Sequence, residues 1–532
     1  MTPDGEDVRA ADGVWFEPLA PGSFLNRSAS VFGDRVAVID GERRFTYGQL
    51  LDRSRRLAGA LIEVGAGRGE RVAVLAPNSH VLLEAHFGVP LSGSVLVALN
   101  TRLTAEEFAY ILDHSEARVL VFDVEFAETA RRACDIATTR PRLIEAGGED
   151  DAYESALSSA QPTEVPVPDE RAPLSINYTS GTTGKPKGVL YHHRGAYLQA
   201  LAMAFHARLE AASVFLWTLP MFHCNGWCFP WAVTAAGGTH LCLRRLEPAA
   251  IWRLISTQGV THFNAAPTVL TMLAYDANAH PVSHRIRVCT GGAPPSPTLL
   301  ERMDALNIDI THLYGLTETF GPAAMCEWRP EWDELPLADR ARIKSRQGVA
   351  NVISAPLRVL DSDGADVPPD GATLGEIALR GNNVMAGYYR DAEATERATP
   401  KGWFRTGDIG VMHPDGYVEL KDRAKDIIIS GGENISTVEV EQALCSHPAV
   451  LEAAVIAIPD DRWGEVPAAY VTLKDDASAS EADIIEHVRG RIAHFKAPKR
   501  VEFGPLPKTS TGKIQKFVLR EAAWAGRDKR IG

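Results

Sequence analysis

The stretch Tyr178 to Gly188, YTSGTTGKPKG, carries the most evident chemistry in the chain. It sets three glycines, four small hydroxyl residues and two lysines within eleven positions. Glycines free the backbone so that its N–H groups can converge on an anion, and the hydroxyl and ammonium groups add donors around a polyphosphate. The pattern is not a Walker A loop, which needs four residues between its glycines and then Gly-Lys-Ser/Thr. Here Lys185 is followed by Pro186. An ordinary P-loop hydrolase is disfavoured, and a plain surface turn does not account for so many Ser, Thr, Gly and Lys residues directly after the apolar Leu174-Ser-Ile-Asn. A second reactive grouping, His223-Cys224 with Cys228, His240 and Cys242, lacks a second paired cysteine set, so its spacing is weak for zinc.

Such a loop needs a rigid scaffold. Val72 to Ala76, Ser94 to Asn100 and Arg118 to Asp123 are short, continuous β-branched runs, as strands covered on both faces should be. Between the last two, Thr104 followed by Glu107 forms a capping box, and Phe108, Ile111 and Leu112 supply one apolar face, which predicts a helix. Strand, helix and strand in succession make the fold class α/β with a mostly parallel sheet. The acidic, Pro-containing segment Ala146 to Arg171 reads as a surface connection. After the charged run Lys421 to Asp426, roughly 105 residues remain, enough for an independent α+β unit. In it Val438 to Ser446 and Glu481 to His494 read as helices, and Glu452 to Ile458 and Ala468 to Leu473 as strands.

The chain has 532 residues, 45% of them hydrophobic and 23% charged, which suits a globular protein of several packed units rather than a disordered one. Its formal charge of -13 disfavours nucleic acid as a partner. Seven scattered cysteines suit a reduced thiol population and the cytoplasm. Neither a secretory leader nor an 18-residue apolar span is readable. A homodimer is the default assembly for a soluble enzyme.

YTSGTTGKPKG resembles the signature of the adenylate-forming superfamily, which holds acyl-CoA synthetases, luciferases and the adenylation domains of peptide synthetases. Matching segments run in order from ERRFTYGQL (Glu42 to Leu50) to PKTSTGKIQK (Pro507 to Lys516), so the resemblance covers almost the whole chain. It implies a large N-terminal body (1–421) of packed α/β subdomains, a hinge (422–426) and a small mobile cap (427–532). It also implies the chemistry: a carboxylic acid and ATP form an acyl-adenylate and pyrophosphate, and the thiol of CoA then displaces AMP.

By the same resemblance Thr179, Ser180, Gly181, Thr182, Thr183 and Lys187 would hold the β- and γ-phosphates. In YGLTE, Tyr314 and Gly315 border the nucleotide, Thr317 contacts the α-phosphate and Glu318 ligates magnesium with Thr179; hard oxygen donors suit that ion. Gly291, Gly292, Ala293 and Pro294 of GGAPPSP would lie beside the adenine. Asp408 of WFRTGD and Arg423 would bind the ribose, a carboxylate having two acceptor oxygens for two hydroxyls. Lys513 would be the adenylation lysine. Ser430, Gly431, Gly432 and Glu433 would line a pantetheine tunnel once the cap turns about Lys425.

PMFHCNGWCFPW (Pro220 to Trp231) matches the segment whose histidine gates the carboxylate. It marks His223, Cys224, Asn225, Gly226 and Trp227, with Gly292 and Gly315, as the acyl pocket. The run FHCNGW is closest to a branch of plant acyl-activating enzymes and bacterial methylmercaptopropionate-CoA ligases that use short to medium acids. The alternatives left open are a ligase for a bulky natural-product acid, an enzyme running one half-reaction only, and a loader of a separate carrier protein.

Overall fold

Burial on both faces, expected from the continuous apolar runs, is what the strands display. The computed structural model describes residues 17–179, 186–292, 295, 297–431, 433–460, 462–474, 477–508 and 514–524. Arg71–Leu75, Val95–Ala98 and Ala117–Asp123 are neighbouring parallel strands, and the last four residues of the first and all of the second are buried. They lie in a seven-stranded sheet that continues through Arg142–Ala146 on one side. On the other side come Pro173–Thr179, Lys187–His192 and the two-residue strand Gly387–Tyr388. A second, nine-stranded sheet has parallel strands at its centre, among them His262–Ala265, Ile286–Thr290 and Ile308–Leu316.

The helix His80–Leu91 is apolar apart from His80, Glu84 and His86, and every residue in it is buried, as in a helix between two packed layers. It shares one core with residues from both sheets, including Val38, Val72, Leu96 and Phe215. A four-stranded antiparallel sheet (Arg358–Leu360, Gly375–Leu379, Phe404–Met412 and Val418–Arg423) completes the large N-terminal body. A smaller C-terminal domain follows. Its five-stranded sheet is built on the long pair Val450–Asp460 and Gly464–Leu473, and its own core is formed by residues such as Ile428, Val440, Val455 and Ile484. The chain is therefore mixed α/β, a large N-terminal domain followed by a small one.

The capping box at Thr104 is present: its hydroxyl accepts from Glu107 N at 3.3 Å, and Glu107 returns a bond to Thr104 N at 2.8 Å. Two expectations need correction. The stretch from Ala146 to Arg171 is not only a connection, since Ala152–Ser159 is a helix capped by Asp151 that buries Tyr153 and Leu157. The Tyr153 hydroxyl donates to the fully buried Glu84, so the packing is specific. The helix beginning at Glu481 stops at Arg489, ahead of Gly490, and a short 3-10 turn follows at His494–Lys496. Among the described residues no helix is long and apolar enough to cross a membrane.

Candidate active site

The phosphate-loop candidate sits at the end of an antiparallel hairpin. Pro173–Thr179 pairs with Lys187–His192, with Thr179 opposite Lys187 and Tyr178 opposite Gly188. Ser180, Gly181, Thr182 and Thr183 lie outside the described residues. The hairpin's base is held by Tyr178, whose hydroxyl is 2.8 Å from His114 Nδ1, and by Tyr110, which donates to the Pro186 carbonyl at 3.2 Å. The Lys187 ammonium lies over the ring of Tyr388, 4.8 Å from its centre.

Facing this hairpin, the strand Ile308–Leu316 ends in the 3-10 turn Thr317–Thr319. Thr319 closes the turn, its hydroxyl accepting from Leu316 N and donating to the Gly321 carbonyl. The Tyr191 hydroxyl donates to the Thr317 carbonyl at 2.6 Å, and Met385 N to the Glu318 carbonyl at 2.8 Å. The Tyr388 hydroxyl donates to Glu318 Oε1, also at 2.8 Å. Tyr388 and Tyr191 escaped the sequence reading. The signal for the first was the pair Tyr388-Tyr389 after Gly387, which has no chemistry of its own until Glu318 is placed beside it.

Asp408 and Arg423 are directly opposite each other on the antiparallel strands Phe404–Met412 and Val418–Arg423. Asp408 is buried; Arg423 Nε stands 3.4 Å from its Oδ1, and the Tyr314 hydroxyl donates to its Oδ2 at 2.7 Å. Burial and the neighbouring Asp408 charge hold the Tyr314 phenol well above its usual range, so it is a fixed donor. Each carboxylate oxygen has one protein partner here and two lone pairs, leaving acceptor capacity for two hydroxyls. Gly291 and Gly292 follow the strand Ile286–Thr290, and Gly292 has φ +90°, which glycine tolerates. Ala293 and Pro294 lie outside the described residues.

The acyl-pocket candidates contain the longest run of left-handed backbone among the described residues. Cys224, Asn225, Gly226, Trp227 and Cys228 have φ of 49°, 49°, 57°, 57° and 65°, a run of left-handed residues of which only one is glycine. Such a conformation costs an L-residue ~1–2 kcal/mol. It persists where surrounding contacts over-determine it. Those contacts are present: Asn225 Oδ1 accepts from Ser175 Oγ at 2.8 Å and from Asn177 Nδ2 at 2.7 Å, both on the strand that leads into the phosphate hairpin. A side chain at Gly226 would meet the Trp217 ring at 2.6 Å.

The turn presses the Trp227 indole against two glycines. A Cβ at Gly321 would lie 2.8 Å from it, and one at Gly291 3.3 Å. Gly315 must also be glycine, because a Cβ there would lie 1.9 Å from the Gly321 carbonyl. Cys224 Sγ is 3.4 Å from Thr317 Oγ1 and 3.7 Å from His223 Nε2. Burial pushes its thiol up to about 12, so it is not a nucleophile at working pH. His240 is engaged elsewhere, 3.2 Å from Trp217 Nε1 and 3.0 Å from Thr234 Oγ1. Among the described residues no three His, Cys, Asp or Glu side chains converge as a metal site.

The remaining candidates belong to the small domain or its junction. Ser430 and Glu433 face each other across a tight hairpin whose Gly431 has φ +60° and donates its N–H to the Trp463 carbonyl at 2.8 Å. Gly432 and Lys513 lie outside the described residues. Lys425 occupies a turn closed by Asp426 N and Ile427 N donating to the Arg423 carbonyl. Two contacts cross this turn: Thr437 N donates to Asp422 Oδ2 at 2.6 Å, and the Ser436 hydroxyl donates to the Lys421 carbonyl. Beyond it, Lys516 Nζ reaches Thr437 Oγ1 at 2.6 Å and Glu441 at 2.7 Å, while Arg520 pairs with Asp426.

Residues 25–389 match the family model described as AMP-binding enzyme, and residues 439–513 match that of the AMP-binding enzyme C-terminal domain. A peroxisomal acetate/butyrate–CoA ligase of Arabidopsis thaliana is 45% identical over 540 residues, covering 96% of this chain and 95% of the relative. A 2-methylpropanoate–CoA ligase of Humulus lupulus is 43% identical, covering 95% of each. The crystal structure of an anthranilate CoA ligase in complex with anthranoyl-AMP superposes with a TM-score of 0.85 at 27% identity, covering 95% of this chain and 98% of that one. AMP-binding CoA ligases use ATP and CoA. The chain belongs to the AMP-binding enzyme family and is an acid–thiol ligase, an AMP-forming acyl-CoA synthetase.

Proposed function

We propose that the acid is a short aliphatic one, of the size class of acetate, butyrate and 2-methylpropanoate that the relatives' names state. One observation supports this reading: the buried Trp227 indole packs onto Gly291 and Gly321, and in this reading its bulk bounds the depth of the acyl pocket. The thiol acceptor is free CoA, as in the named relatives.

In this reading Thr179 and the loop after it hold the terminal phosphates with Lys187, and Asp408 and Arg423 hold the ribose. Gly291 to Pro294 flank the adenine. Thr317 orients the α-phosphate, and His223, Cys224 and Asn225 border the carboxylate. The Lys513 ammonium spans carboxylate and α-phosphate, offsetting the repulsion of two anions as they meet. The donor chemistry fits magnesium: a Glu318 carboxylate of which Tyr388 engages one oxygen, a Thr179 hydroxyl, and the nucleotide's own phosphates. When bound, that ion neutralises phosphate charge. The cap then turns about Lys425, breaking the Asp422–Thr437 and Lys421–Ser436 contacts, and brings Ser430 to Glu433 to the thiol path. The free state of all seven cysteines fits a reducing cytoplasm.

Acid-dependent ATP–pyrophosphate exchange over acids of two to ten carbons, followed by product mass spectrometry with CoA, tests the reading. Exchange should peak at two to five carbons with the matching acyl-CoA formed. Trp227→Ala should move the optimum at least two carbons longer. A wild-type optimum at eight carbons or at aromatic acids would overturn the short-acid assignment, and exchange without acyl-CoA would overturn CoA as acceptor.

A further inference from the structure

A short strap, Met385 to Tyr389, joins the phosphate hairpin to the turn that carries Glu318. On one side it extends the seven-stranded sheet, with Gly387 opposite Leu190 and Tyr388 opposite Val189. Ala386 N donates to the Leu190 carbonyl at 2.9 Å, and Tyr389 N to the Gly188 carbonyl at 2.7 Å. On the other side Met385 N donates to the Glu318 carbonyl, and the Tyr388 hydroxyl to its carboxylate. Thr395 Oγ1 accepts from Tyr388 N at 2.9 Å, fixing the strap to the following helix, Ala392–Ala398. The Tyr388 side chain thus has both ends engaged. Its hydroxyl meets Glu318 Oε1, and its ring face meets the Lys187 ammonium.

We propose that Tyr388 is a positioning residue for nucleotide binding, holding Glu318 at one end and Lys187 at the other so that carboxylate and cation stand at a set spacing on either side of the triphosphate. The inference rests on the functional reading above, in which Glu318 and Lys187 meet the metal and the phosphates. A hydrogen bond to a carboxylate is a strong one, and restricting one oxygen of Glu318 leaves the other to face the ion with little rotamer freedom to lose on binding. The ring provides an electrostatic seat for an ammonium that would otherwise roam on a four-carbon stem.

The two ends can be removed in steps. Tyr388→Phe deletes the hydroxyl and keeps the ring; Tyr388→Leu deletes both. ATP binding to the full chain is measured by calorimetry at a series of magnesium concentrations and in EDTA, with thermal melting of each variant alongside. Tyr388→Phe should require about ten-fold more magnesium for half-maximal enhancement of ATP affinity, while affinity in EDTA stays as in wild type; ten-fold corresponds to ~1.4 kcal/mol. Tyr388→Leu should also weaken ATP in EDTA several-fold. In a Glu318→Gln background Tyr388→Phe should have no further effect on the magnesium response. An unchanged magnesium requirement in Tyr388→Phe, with wild type itself responding to magnesium, overturns the positioning role alone. A wild-type chain that binds no ATP with or without magnesium overturns the underlying reading as well.

Discussion

The Tyr314 hydroxyl donates to Asp408 Oδ2 at 2.7 Å across 94 residues of chain, tying the nine-stranded sheet to the antiparallel one at the proposed nucleotide site. The bond supplies a buried carboxylate with a fixed donor and leaves Arg423 on its other oxygen. Hydrogen bonds to charged groups contribute ~1.5–3 kcal/mol. Tyr314→Phe should therefore raise the KM for ATP roughly 10- to 100-fold in pyrophosphate exchange, with a much smaller effect on the KM for the acid. Equal increases in both would show that the tyrosine acts on the whole cleft and not on the nucleotide.

Lys513 assists one half-reaction in the proposed scheme. Lys513→Ala should slow adenylation by roughly 10²- to 10³-fold, as loss of one well-placed charge does. Thioester formation from synthetic acyl-adenylate and CoA should be nearly unchanged. Rapid-quench measurement of both steps checks this; equal loss in both would contradict a lysine that serves only one conformation.

The left-handed turn makes Gly226 sensitive. Its φ of 57° and the Trp217 ring 2.6 Å from a would-be Cβ oppose any side chain. Gly226→Ala should lower stability by at least ~1–2 kcal/mol from the backbone alone. It should also raise the KM for the acid more than that for ATP, because Trp227 and Asn225 shift with it. Urea unfolding and steady-state kinetics check the two effects separately.

At the base of the small domain Lys516 is only 16% exposed and answers Glu441, itself 18% exposed. Breaking such a pair from one side leaves a buried charge uncompensated, at a cost of ~3–5 kcal/mol. Lys516→Met should show that loss in denaturant titration. Adding Glu441→Gln should recover a large part of it, since the amide oxygen still accepts from Val455 N. A double variant no better than the single one would remove Glu441 as the partner that matters.

His80 gives the stability a basic limb. Burial pulls its imidazole down, but the hydrogen bond to Asp40 at 2.6 Å, the Glu154 carboxylate at 3.6 Å and the Glu84 and Asp40 charges more than reverse this and hold it at about 9. A folded value above the unfolded ~6.5 means that the stabilisation is complete below pH 6.5 and is lost as pH rises through 9, amounting to roughly 3 kcal/mol. Buried His86, His262 and His312, held near 4 chiefly by desolvation, act with the opposite sign and weaken the fold on acidification below 6.5. Urea unfolding at pH 6.5 and 9.5 should show a larger loss in wild type than in His80→Gln. Parallel losses would refute the assignment.

Local patterns were legible in the sequence where one segment carries its own determinant. The parallel strands announce themselves by β-branched runs, the helix after Thr104 by its capping box, and the phosphate hairpin by its composition. What escaped depends on partners far along the chain. The helix Ala152–Ser159 is hidden by acidic neighbours, and its two buried residues, Tyr153 and Leu157, make too small a stripe to stand out. Nothing in FHCNGWC foretells five left-handed residues; Trp217, Ser175 and Asn177 impose them from other elements. Tyr388 acquires meaning only once two strands place it between Glu318 and Lys187.

The ties among Asn225, Ser175 and Asn177, between Tyr191 and Thr317, and between Tyr314 and Asp408 draw the cleft from segments 48 to 126 residues apart. During synthesis, then, the nucleotide site as proposed is incomplete until Arg423 has left the ribosome. Because ATP can bind only the fully assembled arrangement, it should shield distant loops from digestion as effectively as near ones whenever cleavage proceeds through global opening.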